Sequence, residues 1–307
     1  MASADGATTP AVTRRAQARL GIALVAPLAL LVATFFLLPL INSIYFAFVD
    51  FNGFEADPPF VGLGNFIELA NDPQVLPALK NNIIWILVGT AGPLTIGLGV
   101  ALLLWNVDRG STLYRLAFFL PYVLPGAAIG IVWGWIYDPL RGWFNKGLDL
   151  VGLGSVATGW LGNPDTALGA VLVTAVWSAV GFAVVIFMAA LRNVDTELID
   201  AARIDGANAR QRLRFVVLPQ IMPVFLMVTT ITLIGGFCVF DIIFVMTGGG
   251  PANATEVLGT YAYSNAFQLN RISYGTTLAL VITVLAIPFT IGLNRLQRRL
   301  SLYRTGA

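Results

Sequence analysis

One stretch of this sequence, Glu197–Pro219, is rich in charged and amide side chains and has a glycine near its middle. Its sequence is ELIDAARIDGANARQRLRFVVLP. Strongly apolar segments lie on both sides of it, and a loop that only joined two membrane helices would not need so many charges. Carboxylates and guanidinium groups suit ion pairs and hydrogen bonds with another surface. On the residues alone, a docking surface for another protein and a solvated amphipathic hairpin on the membrane surface are equally open.

The first half of this stretch has the pattern of a short helix. Asn193 or Asp195 can act as its N-cap, and the helix is expected over Glu197–Asp205. The acids Glu197 and Asp200 fall in the first turns, where the positive end of the helix dipole favours a carboxylate. Small side chains at helical spacing predict a narrow apolar face that another protein could approach closely: Leu198, Ala201 and Ala202.

The second half predicts a turn and another helix. Gly206 is expected to stop the first helix in the left-handed conformation that glycine tolerates best. Asn208 would cap the second helix, and Gln211, three residues on, completes a pair of the capping-box type. Because the residue before a proline avoids the helical region, the second helix is expected to end before Pro219.

Asp241 is the one acid that lies well inside an apolar segment of spanning length. A charge at mid-bilayer costs roughly 2.5–3.5 kcal/mol on insertion scales, so this residue should face a polar cavity, a partner helix or the outer interface. One hypothesis makes Asp241 a hydrogen-bond acceptor for a hydroxylated substrate, with aromatic rings as stacking faces: Phe237, Phe240 and Phe244. A structural contact between helices is the alternative interpretation.

The composition excludes most catalytic chemistry. The chain has no His, which removes Ser-His and Cys-His catalysis and His metal ligation. Cys238 is the only cysteine, so no disulfide can form within the chain. No G-x-x-x-x-G-K-[ST] loop occurs, and neither of the two lysines, Lys80 and Lys146, follows one. The chain therefore cannot hydrolyse ATP alone, and such energy must come from a partner.

Long apolar runs predict an all-α protein of the membrane. The chain is 57% hydrophobic and 11% charged, whereas about 25% of the residues of an average soluble protein are charged. Apolar stretches of at least about 20 residues can cross a bilayer as helices. Six such spans are predicted, at Leu20–Val49, Asn82–Trp105, Leu116–Tyr137, Ala167–Leu191, Ile221–Met246 and Tyr274–Arg295.

The distribution of positive charge predicts the orientation. The two tails and the second and fourth connections hold 14 of the 18 Lys and Arg residues, so the positive-inside rule places both termini in the cytoplasm. The predicted organisation is a cytoplasmic tail over 1–19, a first membrane helix and extracytoplasmic loop over 20–79, a transmembrane domain over 80–296 and a cytoplasmic tail over 297–307. Two large outer loops are expected, at Asp50–Leu79 and Asp138–Thr166, with room for short interfacial helices.

The pattern D-A-A-R-I-D-G-A followed by L-P resembles the EAA motif of ABC importer permeases, carried by Asp200, Ala201, Ala202, Asp205, Gly206, Ala207, Leu218 and Pro219. Asp200 replaces the Glu for which the motif is named and keeps its charge. Two more segments are similar to maltose-type carbohydrate permeases: F-D-I-I-F-V-M-T-G-G-G-P at Phe240–Pro251 and F-L-P-Y-V-L-P at Phe119–Pro125. The resemblance covers about Asn82–Leu296 and implies the ABC transmembrane type-1 fold.

In that family the motif forms a coupling helix that docks on the nucleotide-binding subunit. The resemblance implies a permease without enzymatic activity, in the bacterial inner membrane, that forms half of the path for a sugar or oligosaccharide. Its residues for coupling would be Glu197, Asp200, Ala201, Ala202, Arg203, Asp205, Gly206 and Pro219. A permease for another solute such as glycerol phosphate, and an independent secondary transporter, are the alternatives.

The same resemblance implies a set of partners. They are a second permease subunit of different sequence, two copies of an ATPase subunit that bind ATP and Mg²⁺, an extracytoplasmic solute-binding protein, and membrane lipid. No nucleic acid is expected as a partner. This chain itself would hold no cofactor and no metal.

Overall fold

The computed structural model describes residues 14–55, 57–105, 107 and 111–305, and these residues form a bundle of helices. Within them there is no β-strand, only an isolated antiparallel bridge between Val49 and Phe60. The all-α prediction is therefore confirmed. The predicted tail segments 1–13 and 306–307 lie outside the described residues.

The α-helices follow one another along the chain, and three of them continue through a wider π turn. The π turns are at Ala33–Leu37, Leu213–Val217 and Ser264–Gln268. The helices are α1 Arg14–Val32, α2 Leu38–Phe46, α3 Gly64–Asn71, α4 Val75–Leu104, α5 Ser111–Val123, α6 Gly126–Ile136, α7 Trp143–Leu150, α8 Pro164–Arg192, α9 Thr196–Ile204, α10 Ala209–Arg212, α11 Leu218–Phe237, α12 Asp241–Met246, α13 Leu258–Tyr263 and α14 Ile272–Thr305.

Among the described residues, four helices that are long and apolar enough to cross a membrane lie at the positions of predicted spans. These are Arg19–Phe46, Val75–Leu104, Pro164–Arg192 and Ile272–Arg298. A fifth helix, Ala209–Phe237, also qualifies. The third predicted span is present only as a bent pair of shorter helices.

The third span, predicted over Leu116–Tyr137, is broken by a corner in the structure. Helix α5 ends at Val123, and α6 leaves from Gly126 at an angle of 97° to it. Pro125 at the corner has an extended backbone (φ −56°, ψ 139°), and the residue before a proline avoids the helical region. Hydropathy continues unchanged across this corner, so an apolar run does not reveal it.

The fifth span also differs from its predicted bounds of Ile221–Met246. The helix begins at Ala209 and ends at Phe237, and Cys238 and Phe240 depart from helical geometry before α12 starts at Asp241. Asp241 therefore does not lie inside a membrane-spanning helix. It is the first residue of a six-residue helix that packs against α6.

The expected helix end before Pro219 is also wrong, because the chain passes into α11 without interruption. The π turn at Leu213–Val217 ends just before this proline, and the Leu218 N–H bonds to the Leu213 carbonyl. A proline inside a helix has no N–H and crowds the carbonyl one turn back. A widened turn relieves both constraints without ending the helix.

Helices α4 and α8 pack together along most of their length and form the centre of the bundle. Glycines permit the closest contacts of α8. A Cβ at Gly97 of α4 would lie 2.5 Å from the Cβ of Ala183, and one at Gly181 would lie 1.8 Å from the carbonyl oxygen of Phe118 in α5. Small residues of this kind allow helix backbones in a membrane to approach closely.

The first helix makes little contact with this bundle. Its apolar window is wholly exposed, and only its C-terminal part, α2, packs against α14. Its exposed side chains, such as Phe35 and Phe36, are apolar over a length that spans a bilayer. They therefore need lipid or another chain as a neighbour.

The two loops that were expected to be large do contain short helices. In the first, α3 packs on α14. In the second, α7 is followed by a turn of 3₁₀-helix at Gly154–Val156. The Asn145 side chain of α7 accepts a hydrogen bond from the Trp160 indole at 2.6 Å, and this bond connects the two halves of the loop.

Candidate functional sites at the two ends of the bundle

Residues 195–212, here named the charged hairpin, connect the C-terminal end of α8 to the helix that continues into α11. Asp195 is the N-cap of α9, since its carboxylate accepts a hydrogen bond from the Glu197 N–H at 2.9 Å. Asn193 bonds instead to the Ala189 carbonyl within α8. The sequence allowed either residue as the cap, and the structure selects Asp195.

Gly206 ends α9 in the left-handed conformation, with φ +82°. The Gly206 N–H bonds to the Arg203 carbonyl and the Ala207 N–H to the Ala202 carbonyl, at 3.1 and 2.9 Å. This pair of bonds is the Schellman motif. The predicted glycine stop is confirmed, and it places Asp205 at the last position before the turn.

The second helix of the charged hairpin starts with the expected capping box. The Asn208 side chain accepts from the Gln211 N–H at 2.9 Å, and the Gln211 side chain accepts from the Asn208 N–H at 2.8 Å. Arg212 donates to the Ala207 carbonyl at 2.6 Å across the turn. The backbone of the hairpin is thus fixed by its own residues.

Helix α9 has one apolar face turned inward and another turned away from the protein. Ile199 packs on the core cluster of α8 and α11, and Ala202 is half-buried beside it. On the outward side, Leu198 and Ala201 are exposed, and Ile204 is 87% exposed. Ile204 was not singled out from the sequence, although it continues the three-residue spacing of Leu198 and Ala201.

The charges of α9 are also at the surface. Asp200 and Arg203 form an ion pair at 3.2 Å with both side chains largely exposed. Exposed pairs of this kind contribute about 0–1 kcal/mol, so either partner can change to a new counter-ion at little cost. Glu197 and Asp205 are exposed as well.

Pro219 lies apart from this outward face. It is in the first turn of α11, beside Gln220, and Gln220 accepts a hydrogen bond from the Asp195 N–H at 3.0 Å. Pro219 is therefore next to the bond between α11 and the hairpin and is not part of the outward face of α9.

At the other end of α8 and α11, aromatic rings lie next to Asp241. Phe240 and Phe244 stack at 5.0 Å between ring centroids, and Tyr263 of α13 lies 5.1 and 4.9 Å from them. Phe267 continues the series at 5.1 Å from Tyr263. We name these four residues the aromatic ladder; Tyr263 and Phe267 were missed because their segment was treated only as a connection.

Phe237 is not part of this group. It is 7% exposed, at the end of α11, and it contacts Phe289 of α14 at 5.6 Å between centroids. It lines an apolar cavity of about 260 Å³ between α4, α11 and α14. The structure therefore brings Asp241 together with Phe240 and Phe244 but separates Phe237 from them.

Asp241 also lies at the corner between α5 and α6. A Cβ at Gly126, the first residue of α6, would be 3.4 Å from the Asp241 carboxylate oxygen. The carboxylate thus lies beside the N-terminal end of α6, whose dipole favours a negative charge. The side chain is exposed.

The loop between α12 and α13, residues 247–257, is held by the start of α4. The Asn81 amide donates to the carbonyls of Ala254 and Glu256 at 3.1 and 2.8 Å, and the Asn82 side chain accepts from the Leu258 N–H at 2.7 Å. Glu256 is buried in this loop and accepts from the Thr260 hydroxyl. Burial raises the pKa of Glu256, although the bond from Thr260 opposes this.

Asp72 joins α13 and α14 to the segment between α3 and α4. Its carboxylate accepts hydrogen bonds from the hydroxyls of Tyr261 and Tyr274 and from the Gln74 N–H. Burial alone would raise the pKa of Asp72, but these bonds, with the nearby Arg271, hold it below the usual value. Burial and the bond to Asp72 raise the pKa of Tyr261 to about 12.

No group of three or more His, Cys, Asp or Glu residues that could hold a metal occurs in the part of the chain that the structure describes. Both sites present exposed side chains, apolar and charged.

The sequence of this chain is similar to those of known transport permeases. The multiple sugar-binding transport system permease protein MsmF of Streptococcus mutans is 31% identical over 266 residues, which cover 85% of this chain and 89% of that protein. The diacetylchitobiose uptake system permease protein NgcF of Streptomyces coelicolor is 33% identical over 277 residues, covering 86% and 77%.

A chain of a bacterial alginate ABC transporter, solved in complex with an alginate pentasaccharide-bound periplasmic protein, has the same fold. Its TM-score is 0.81 at 21% identity, over 95% of this chain and 98% of that chain. The family described as "Binding-protein-dependent transport system inner membrane component" matches residues 94–302. This match covers both the charged hairpin and the aromatic ladder, and the chain belongs to this family of ABC importer permeases.

Proposed function

We propose that this chain forms half of the path for a sugar or oligosaccharide and is driven by a separate ATPase that docks on the segment 193–219. The observation that carries the proposal is the charged hairpin. Its backbone is fixed by its own caps, while Leu198, Ala201 and Ile204 face away from the protein. Apolar side chains exposed at a rigid turn are expected where another protein binds.

The sugar class is supported by the names of relatives. MsmF and NgcF are permeases of a multiple sugar-binding system and of a diacetylchitobiose uptake system. The structural relative belongs to an alginate transporter. The names of all three proteins refer to carbohydrates, which supports a sugar as the substrate of this chain.

The remaining partners follow from the same role. A second permease chain of different sequence would complete the path, two ATPase subunits would bind ATP and Mg²⁺, and an extracytoplasmic binding protein would deliver the sugar. The positive-inside rule favours a cytoplasmic position for the charged hairpin and both termini. Lipid would cover the remaining apolar faces.

In this proposal the hairpin transmits motion. ATP binding closes the two ATPase subunits, and the outward face of α9 moves with them. Asp195 and Gln220 join α9 to α11 at 3.0 Å, so this motion reaches the helix that ends beside Asp241. Glu197, Asp200, Arg203 and Asp205 supply exposed charges for the docking surface.

The substrate path is proposed to pass Asp241, Phe240 and Phe244. An exposed carboxylate beside two stacked rings offers a hydrogen-bond acceptor and an apolar flat surface. Binding sites for small polar molecules combine apolar walls with a few placed polar groups. If Asp241→Asn and Asp241→Ala both leave sugar uptake and sugar-stimulated ATPase activity unchanged, Asp241 has no such role.

The proposed function is tested by mild-detergent purification of the tagged chain from its native membrane, followed by identification of the proteins that accompany it. We expect an ATPase with a P-loop, a second six-span protein and ATPase activity in the purified material. Recovery of the chain alone, with uptake driven by an ion gradient after reconstitution, would instead identify a secondary transporter.

A further inference from the structure

The aromatic ladder extends beyond the residues assigned to the proposed path. Its four rings lie on three consecutive segments: the break after α11, helix α12, and α13 with its π turn. Each ring is 4.9–5.1 Å from its neighbour in the series. The series runs from Phe240, which is half-buried, to Phe267, which is 69% exposed.

On one side of the α13 segment Tyr263 is half-buried and Phe267 is exposed, and the opposite side is packed. Ala262 and Ala266 are buried there against Gly275 of α14, where an added Cβ would lie 2.5 Å from the Ala262 carbonyl oxygen. The π turn at Ser264–Gln268 keeps Phe267 on the same side as Tyr263. π turns often mark functional sites in helices.

Polar atoms without partners accompany the rings. Neither the Tyr263 hydroxyl nor the Asp241 carboxylate has a hydrogen-bond partner among the described residues. The Tyr261 hydroxyl, two residues away in α13, is bonded to Asp72 at 2.6 Å. A tyrosine combines an apolar ring with a hydroxyl that requires a partner when it is covered, so the unbonded hydroxyl of the half-buried Tyr263 is available to a ligand.

We propose that Tyr263 and Phe267 form the outer part of a carbohydrate-stacking track that leads to Asp241. This inference rests on the proposed function, since it concerns the path of the same sugar. Sugars have one apolar face of C–H groups and an edge of hydroxyls, which suit aromatic rings flanked by hydrogen-bonding atoms. A lipid tail would use the rings but would leave the Tyr263 hydroxyl and the Asp241 carboxylate unsatisfied.

The experiment measures ATP-driven uptake by the complete importer, with its co-purified partners, in proteoliposomes. The probes are N,N′-diacetylchitobiose, maltotriose and alginate oligosaccharides. Leucine replaces each ring because it keeps the apolar surface and removes the flat face. The variants are Tyr263→Leu, Tyr263→Phe and Phe267→Leu, and the matched control is Phe54→Leu, whose ring is 81% exposed in the first loop.

We expect Tyr263→Leu and Phe267→Leu to raise the half-saturating concentration of the imported probe about tenfold, and Tyr263→Phe about threefold. The control should leave it unchanged. The set of co-purified partners should be the same in all variants, because the ladder and the charged hairpin lie at opposite ends of α11.

Unchanged uptake in both leucine variants would overturn this inference and leave the proposed function intact, since the rings would then contact lipid. Loss of the second permease chain from the purified variants would overturn it as well, by identifying an interface between subunits. A wild-type assembly that contains an ATPase but imports none of the probes would contradict the sugar class, and the inference with it.

Discussion

At the hairpin end of α8 and α11, the hydrogen bonds that fix the backbone mostly join residues two to five positions apart. At the opposite end, local bonds such as that between Thr260 and Glu256 are joined by bonds between residues 173 to 202 positions apart. The hairpin can therefore take its shape as soon as its own residues are helical, and its side chains are left free. The opposite end can form only after α4, α13 and α14 have come together.

This difference suits the two proposed roles. A docking element must present the same shape to its partner throughout the transport cycle, and local caps provide that. A substrate path must open and close, and side-chain bonds between different helices can break in one state and form in another. The two regions should therefore respond differently to substitution.

The largest effect is expected from Gly206→Val in the charged hairpin. A β-branched residue at φ +82° is strained, at a cost of about 1–3 kcal/mol, and the turn should change shape to relieve it. We expect ATP-driven sugar uptake to fall at least tenfold while ATPase activity and membrane insertion persist. Reconstituted uptake and ATPase assays on the same preparation measure both.

Gly206→Asn is the control for this change, because asparagine tolerates the left-handed conformation. It should keep most of the uptake. Full uptake by the Gly206→Val variant would show that the shape of this turn is not what couples the two activities.

A smaller effect is expected when the outward face of α9 loses its most exposed apolar residue. Ile204→Ser should weaken the association of the ATPase subunit about tenfold, since burying such a side chain contributes about 1.5–3 kcal/mol. Leu140→Ser is the control, because Leu140 is 88% exposed, as Ile204 is at 87%, but lies in the loop after α6. Titration of the purified ATPase against the reconstituted permease gives the two dissociation constants, and equal values would place the ATPase elsewhere.

The local character of the hairpin explains why it could be predicted from the sequence. The roles of Gly206, Asn208 and Gln211 depend on neighbours within a few positions, and each was predicted correctly. The same three-residue spacing also predicts Ile204 on this face, but only Leu198 and the two alanines were predicted there. The end of the second helix was predicted wrongly, because the π turn before Pro219 has no signature in the sequence.

The opposite end could not be predicted to the same extent. The corner at Pro125 and the break at Phe240 lie inside continuous apolar runs, so hydropathy did not locate them. The approach of Tyr263 to Phe244 depends on how α12 and α13 fold back on each other. Sequence spacing carries no information about a contact of that kind.

The long-range bonds of this end can be weakened at α4. Asn81→Ala removes both bonds to the loop carbonyls of Ala254 and Glu256, and a buried group left without a partner costs about 1–3 kcal/mol. We expect a fall in the melting temperature of the purified protein of several degrees, with the ATPase still bound. Asn71→Ala is the control, because its bond to the Ile67 carbonyl is local and exposed; an equal fall in both variants would contradict a special role of the loop.

The smallest effect is expected at Glu256 and depends on pH. Burial raises the pKa of Glu256 above its ordinary value of 4.5, so folding favours the neutral carboxyl group. The stability that it contributes is fully present below about pH 4.5 and is lost as the pH rises through the pKa of the folded protein. Glu256→Gln keeps an acceptor for the Thr260 hydroxyl and removes the titration.

We therefore expect the Glu256→Gln variant to melt at the same temperature as the wild type near pH 4.5 and about 2–4 °C higher at pH 8. Melting curves between these pH values measure the difference, and Glu55→Gln, at an exposed residue of the first loop, is the control. A variant that is less stable than the wild type at pH 8 would mean that the charged carboxylate holds the loop. The contrast with the hairpin would then rest on the long-range bonds of Asn81, Asn82 and Asp72, without a contribution from a neutral Glu256.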